Sequence, residues 1–119
     1  MLKRIVSIIL PCALLASPAL AGDQDFELVN KTGYTIEQVY VSASNSDEWE
    51  EDVMERDVLS DGESVDIEFS RGQKGCRFDL KVVYDDGTDA TWGRLDLCTI
   101  STVAIRYDRR ADRTWVSTD

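Results

Sequence analysis

The sequence contains no histidine and only three cysteines in 119 residues. The lack of histidine removes the commonest general base, the Ser-His and Cys-His nucleophile systems and most zinc or copper sites. No two cysteines have the C-x-x-C spacing of a dithiol redox motif. We therefore predict that the protein is not an enzyme and acts by binding. A hydrolase that uses two carboxylates is the least favoured alternative.

Long apolar runs are also scarce. The main one, residues 5–15, is too short to span a membrane comfortably, and it follows the basic residues Lys3 and Arg4. A small-x-small cleavage site, Ala19-Leu20-Ala21, comes next. We predict a signal peptide over residues 1–21 that is cleaved after Ala21. No later stretch is apolar enough to insert into a membrane.

The predicted mature chain, residues 22–119, is a single exported domain, periplasmic or secreted. Without Lys3 and Arg4 it has 11 basic and 23 acidic residues, a net charge of −12. A field of this sign repels nucleic acid and attracts cations or basic surfaces. We expect no nucleic-acid partner, and either a metal cation or a basic protein surface as the ligand.

Alternation of apolar and polar residues predicts short strands throughout the mature chain. Ile36 is out of phase with Val39 and Val41, which predicts a bulge near Glu37-Gln38. Six or seven strands between Gly, Asp and Asn turns predict an all-β fold, a single antiparallel β-sandwich or small barrel. The predicted strands cover residues 26–31, 36–42, 65–69, 76–84, 90–97, 103–107 and 114–117.

Two cysteines flank one predicted hairpin. Its turn is Asp85-Asp86-Gly87-Thr88, and Cys76 and Cys98 lie equally far from Gly87 on either side. Hairpin pairing brings the two thiols together, and an exported protein meets an oxidising environment. We predict a Cys76–Cys98 disulfide that stabilises the fold by about 3 kcal/mol.

Residues 46–57 are the one segment with helical features. Ser46 can cap a helix, acidic residues follow in the first turn, and Trp49 and Val53 are four residues apart. We predict one short helical turn here.

The same segment holds the densest group of carboxylates. Oxygen ligands in a flexible, negative loop suit hard cations such as Ca²⁺ or a trivalent lanthanide. A solvated helix face explains these residues at least equally well. The predicted metal ligands are Asp47, Glu48, Glu51, Asp52 and Glu55.

A second candidate metal site lies at the hairpin tip. Asp85, Asp86 and Asp89 surround Gly87 and could hold a cation there. Turn propensity accounts for the same three residues equally well.

Three consecutive stretches together make up one pattern: Asn30-x-Thr32-Gly33-x-x-Ile36-x-x-Val39-Tyr40-Val41-Ser42, then Asp47-x-Trp49-x-x-Asp52, then Leu59-x-x-Gly62-Glu63-Ser64. The pattern resembles a family of small, exported or envelope-associated bacterial β-domains and covers most of the mature chain. This resemblance implies a fold and no activity. A glycine often follows the tryptophan in that family, whereas this chain has Glu50, and the added charge favours cation binding.

Two binding functions remain open. The first is a periplasmic protein that binds Ca²⁺ or a lanthanide. The second is a protein-interaction or inhibitor module of the bacterial envelope with no metal, and an uneven distribution of charge favours it. Two loop regions are locally basic, through Arg71, Lys74 and Arg77 and through Arg106, Arg109, Arg110 and Arg113.

Overall fold

The structure, a computed structural model, describes residues 2–6, 24–50, 52–70 and 72–119. In these ranges the chain forms eight β-strands and no helix. The strands are β1 (Leu2–Val6), β2 (Phe26–Lys31), β3 (Ile36–Ala43), β4 (Ser64–Phe69), β5 (Arg77–Tyr84), β6 (Asp89–Asp96), β7 (Thr102–Asp108) and β8 (Arg113–Thr118).

The strands form two sheets. One has the order β1-β4-β2-β7-β8 and the other the order β3-β5-β6. The pairing of β2 with β7 is parallel, and the other strand pairs are antiparallel. The predicted all-β sandwich is confirmed, and β2 to β8 correspond to the seven predicted strands.

The core lies between the sheets. On β4 and β5 every second residue is buried, as the alternating pattern predicts. Phe69 of β4 meets Phe78 of β5 with ring centroids 4.9 Å apart, so the two sheets are in direct contact. Each fully buried side chain of this size stabilises the fold by about 1.5–3 kcal/mol.

The disulfide is confirmed. Cys76 and Cys98 are bonded, with their Cα atoms 5.2 Å apart. The β5–β6 register shifts by one residue between Phe78 and Leu80, where Arg94 of β6 has a positive φ of 58°. This bulge explains why Trp92 and Leu95 are both directed towards the core although they are three residues apart.

The predicted bulge in β3 is also confirmed. The register with β5 shifts between Ile36 and Gln38, as the out-of-phase apolar residue indicated. Ile36 additionally bridges to Leu59, so the start of β3 is covered on its other edge.

The structure does not show the predicted helical turn over residues 46–57, since the described part of this segment contains loop and a turn at residues 53–56 and no helix. Asp52 provides the physical reason. One of its carboxylate oxygens accepts hydrogen bonds from the amides of Val39 and Met54, at 2.8 and 2.9 Å. The Val53 amide also donates to the Val39 carbonyl, so the segment is attached to β3, and its own backbone bonds among the described residues are limited to the turn that follows.

Strand β1 lies inside the predicted signal peptide. Its backbone pairs with β4, with Leu2 opposite Phe69 and Val6 opposite Val65. The cleavage site after Ala21 is outside the described residues, so export and cleavage stay predictions. None of the described segments is a helix long and apolar enough to cross a bilayer.

Candidate functional site

Three connections meet at one end of the sandwich: the β2–β3 turn, the β5–β6 hairpin and the β7–β8 turn. They enclose an open cavity of about 370 Å³. We call it the tyrosine–aspartate pocket. Its lining residues are Thr32, Tyr34, Tyr84, Asp85, Asp86, Thr88, Asp89, Tyr107, Asp112 and Thr114.

The β2–β3 turn positions Tyr34 through the buried side chain of Asn30. The Asn30 amide group donates to the carbonyls of Tyr34 and Leu59, at 2.7 and 2.9 Å. Its oxygen accepts from the backbone amide and the hydroxyl of Thr32, at 3.1 and 2.7 Å. Gly33 completes the turn with a φ of 85° that few other residues adopt. Tyr34 is therefore held at the rim, with 45% of its surface exposed.

The β5–β6 hairpin positions three carboxylates. One Asp86 oxygen accepts hydrogen bonds from the amide and hydroxyl of Thr88, at 2.9 and 2.6 Å. These bonds lower the pKa of Asp86, so this exposed carboxyl stays charged near neutral pH. The Asp85 amide donates to the Thr35 carbonyl, which joins the hairpin to the β2–β3 turn.

The opposite wall comes from β7 and the turn after it. The Tyr107 hydroxyl donates to a carboxylate oxygen of Asp112 at 2.9 Å. The rings of Tyr34 and Tyr107 meet edge to face, with centroids 5.6 Å apart and planes at 69°. The bond to Asp112 raises the pKa of Tyr107, and burial followed by the charge of Asp86 raises that of Tyr84. Both phenols therefore stay neutral.

The charge of the pocket has one sign. Asp85, Asp86, Asp89 and Asp112 line it, and no lysine or arginine in the described part of the chain does. Two cations lie close to the rim. Lys81 approaches Asp89 at 4.0 Å, an exposed pair of small energetic value, and the charge of Arg109 slightly opposes the rise in the Tyr107 pKa.

A second cavity, of about 380 Å³, lies at the other end of β5 and carries the opposite charge. Lys74, Arg77 and Arg94 line it, beside the disulfide. The Gln24 side chain donates to the carbonyls of Gln73 and Gly75, both at 2.9 Å, and so holds the loop that carries Lys74. We call this the basic cavity.

The acidic segment after β3 does not form a metal cage in the described residues. Asp47, Glu48 and Glu55 are exposed, and Glu51 is outside the described residues. Asp52 already uses one oxygen to hold the backbone. The main role visible for Asp52 is therefore structural.

Outside the acidic segment, the described residues also provide few sets of side chains arranged to bind a metal. Where the structure describes the chain, one set of three Cys, Asp or Glu ligand atoms lies within 4.8 Å: Cys76, Asp96 and Cys98. Both sulfur atoms of this set form the disulfide, so they are not thiolate ligands. The three hairpin aspartates share a pocket without converging to this degree.

One described carboxyl has a raised pKa, but it lies outside both cavities. Burial, and then the charge of Glu27 opposite it, raise the pKa of Asp66 on β4. Its side chain points to the outer face of the sheet, since its neighbours Val65 and Ile67 are in the core.

The sequence identified three of the pocket aspartates and missed Asp112 and the three tyrosines. The sequence contains a local signal for two of these tyrosines. Tyr84 is the last residue of β5 and Tyr107 the last but one of β7, and an aspartate directly follows each of them. Tyr34 follows the Asn30-x-Thr32-Gly33 turn, and nothing local shows that the three tyrosines line one cavity.

Comparisons with known proteins inform the fold alone. No family model matches the chain, and no curated protein matches it. The chain is similar to the NMR structure of a protein from Eubacterium rectale, with a TM-score of 0.56 and 18% sequence identity. That similarity covers 87% of this chain and 92% of the other, so it extends over most of both chains.

Proposed function

We propose that this protein is a non-catalytic binding protein that holds a positively charged ligand in the tyrosine–aspartate pocket. One observation carries the proposal: among the described residues, four aspartates line the pocket and no basic residue does. A concave site lined by one sign of charge concentrates ligands of the opposite sign. The lowered pKa of Asp86 supports a charge that persists near neutral pH.

Ca²⁺ and trivalent lanthanides remain candidate ligands, at this pocket or at the acidic segment. The pocket has the stronger support, because its carboxylates come from two separate turns and face one cavity. In the acidic segment, Asp52 is already occupied by two backbone amides.

Titration of the purified protein with Ca²⁺, La³⁺ and spermidine, followed by amide NMR shifts, tests the proposal. We expect shifts at Asp85, Asp89 and Asp112, and weaker binding in the variant D85N/D89N/D112N. Asparagine keeps the oxygen that accepts from Tyr107, so this variant changes charge more than shape. The matched control D47N/E48Q/E55Q removes three charges from the acidic segment. Loss of binding in the control alone would assign the site to that segment and reject the pocket.

A protein-interaction module is the second candidate, and the basic cavity at the opposite end favours it. A lysine or arginine of a partner would satisfy the same aspartates. Capture of a partner from envelope fractions at low salt, lost at moderate salt, tests this candidate. Capture that ignores both salt and D85N/D89N/D112N would count against it. A two-carboxylate hydrolase has less support, because such an enzyme needs a carboxyl with a raised pKa in its cleft, and Asp66 lies outside the pocket.

A further inference from the structure

The tyrosines that line the pocket indicate which kind of cation the pocket can bind. Three of the four tyrosines in the chain line this one cavity, and they come from different strands or turns. Bare inorganic cations need oxygen ligands in a tight shell, with six to eight oxygens around Ca²⁺. In the described residues the pocket aspartates do not bring three ligand oxygens within 4.8 Å of one another.

The aromatic geometry suits a cation that is partly apolar. Tyr34 and Tyr107 stand at 69° to each other, so their rings form two walls of a corner. Their centroids are 5.6 Å apart, and one cation in the corner can therefore lie within about 6 Å of both, the range of cation–π attraction. Tyr84 packs on the core and provides a third, fixed surface.

The hydrogen bonding of Tyr107 adds to this attraction. Its hydroxyl donates to Asp112, so its proton is already engaged, and electron density moves from the O–H bond into the oxygen and ring. A more negative ring face attracts a cation more strongly. Asp112 also places a full negative charge beside that ring.

The size of the pocket agrees with a small organic molecule. About 370 Å³ lies at the low end of the range of about 300–1,000 Å³ for small-molecule sites, and it exceeds the needs of a bare ion. Carboxylates of the hairpin, Asp112 and the tyrosine rings line the same cavity. A ligand whose charge is spread over alkyl groups can contact both.

We propose that the ligand of the tyrosine–aspartate pocket is a small alkylated ammonium ion, held against the rings of Tyr34 and Tyr107 and balanced by the surrounding aspartates. This inference rests on the proposed function and specifies its ligand. Alkyl groups on nitrogen lie against the aromatic faces, and the delocalised charge is easier to dehydrate than that of a primary ammonium.

Calorimetric titration of the purified protein with choline and tetramethylammonium provides the test. The matched neutral probe is 3,3-dimethylbutan-1-ol, which has the shape of choline without its charge. We expect both ammonium ions to bind at least about tenfold more tightly than the alcohol, because the rings and carboxylates attract the charge.

Substitutions distinguish the contribution of the aromatic rings to ligand binding from that of the carboxylates. We expect Y34L and Y107L each to weaken choline binding by about three- to tenfold, and Y34F to retain most of it because the ring remains. Y40L is the matched control, since Tyr40 is the one tyrosine that does not line the pocket. If Y107L melts too early to be titrated, Y34L keeps the test valid, because Tyr34 is 45% exposed.

The outcomes distinguish this inference from the proposed function. Binding of Ca²⁺ or spermidine at the pocket, without choline or tetramethylammonium, would overturn the inference and leave the proposed function standing. Equal binding of choline and the alcohol would overturn both, since charge would then play no part. Absence of binding by every cation would also overturn both. Unchanged choline affinity in both leucine variants would remove the role of the rings.

Discussion

The two ends of the sandwich differ in charge and in what holds their loops together. The tyrosine–aspartate pocket is acidic and aromatic, and hydrogen bonds that Asn30 donates and Asp86 accepts hold its turns. Among the described residues the basic cavity is lined by three cations and no aromatic residue, and the disulfide and Gln24 hold its loops. Strand β5 joins them and runs about 23 Å from Arg77 to Tyr84.

This difference shows how one small sandwich carries two unlike surfaces. The strands and the core between them are shared, so the chemistry of each end depends on its connections and on the strand ends beside them. At the basic end a covalent link, through the lining residue Cys76, holds the loops. The acidic end has no such link, and its geometry depends on buried polar groups being satisfied.

The largest expected effect comes from removing the disulfide. We expect C76A/C98A to lower the free energy of unfolding by about 3 kcal/mol, because a loop of this length loses its constraint in the unfolded chain. Urea unfolding measures the change. Reduction of the wild-type protein with dithiothreitol is the control and should give a similar loss of stability.

Because the disulfide lies at the basic end, cation binding at the other end should survive its removal under native conditions. Its disappearance would show that the two ends are coupled.

Removal of Asn30 tests the acidic end in the same way. We expect N30A to lower the free energy of unfolding by at least about 2 kcal/mol, since two carbonyls lose a donor inside the fold. The exposed Asn45, at the basic end, serves as the control, and N45A should change stability by less than about 0.5 kcal/mol. N30A should also weaken cation binding, because Tyr34 loses its support. Equal stability of N30A and N45A would contradict this account.

Each end contains one non-glycine residue in the left-handed region, Arg94 with φ 58° and Asp112 with φ 47°. We expect R94G to stabilise the protein by about 0.5–1 kcal/mol, because glycine adopts this conformation without a steric penalty. D112G should stabilise the protein less than R94G or destabilise it. Aspartate tolerates the left-handed region better than arginine does, and the Tyr107 hydroxyl loses its acceptor in this variant. Thermal melts of both variants measure the two changes in stability. A larger stabilisation by D112G than by R94G would contradict this expectation.

The smallest expected effects depend on pH. The folded-state pKa of Asp66 is raised, so its charged form is unfavourable in the fold. D66N should therefore be more stable than wild type at pH 7. The gap should shrink as pH falls through the folded-state pKa and close below the ordinary value of 3.8, because wild-type Asp66 is then protonated in both states.

Asp86 should show the opposite trend, because its folded-state pKa is lowered. Its stabilising contribution is present above the unfolded value of 3.8 and is lost as pH falls through the folded pKa. D86N should thus be slightly less stable than wild type at pH 7 and equal to it in strong acid. Melting midpoints from pH 3 to 7 test both residues. Parallel curves for D66N and D86N would show that the assigned causes are wrong.

Much of the fold could be predicted because its signals are local. Alternation identified β2 to β8 nearly to their ends, and the phase break at Ile36 located the bulge in β3. The symmetry of Cys76 and Cys98 about Gly87 predicted the disulfide. The prediction failed at residues 46–57, where a capping pattern and acidic residues resembled a helix start. There, the hydrogen bonds that the Asp52 carboxylate accepts from the Val39 and Met54 amides prevailed over local propensity.

Local patterning of the sequence thus determined the strands, the turns, the disulfide and the excess of negative charge, because each depends on residues close together in the chain or on composition. Tertiary structure alone decided which turns meet. The parallel pairing of β2 with β7, which no local pattern encodes, places Tyr107 of β7 near the turn after β2 that carries Tyr34. Packing of that sheet on β3-β5-β6 then brings the hairpin aspartates to the same cavity. A pocket formed by residues up to 82 positions apart, from Thr32 to Thr114, depends on strand order and packing, which the period of a single strand does not contain.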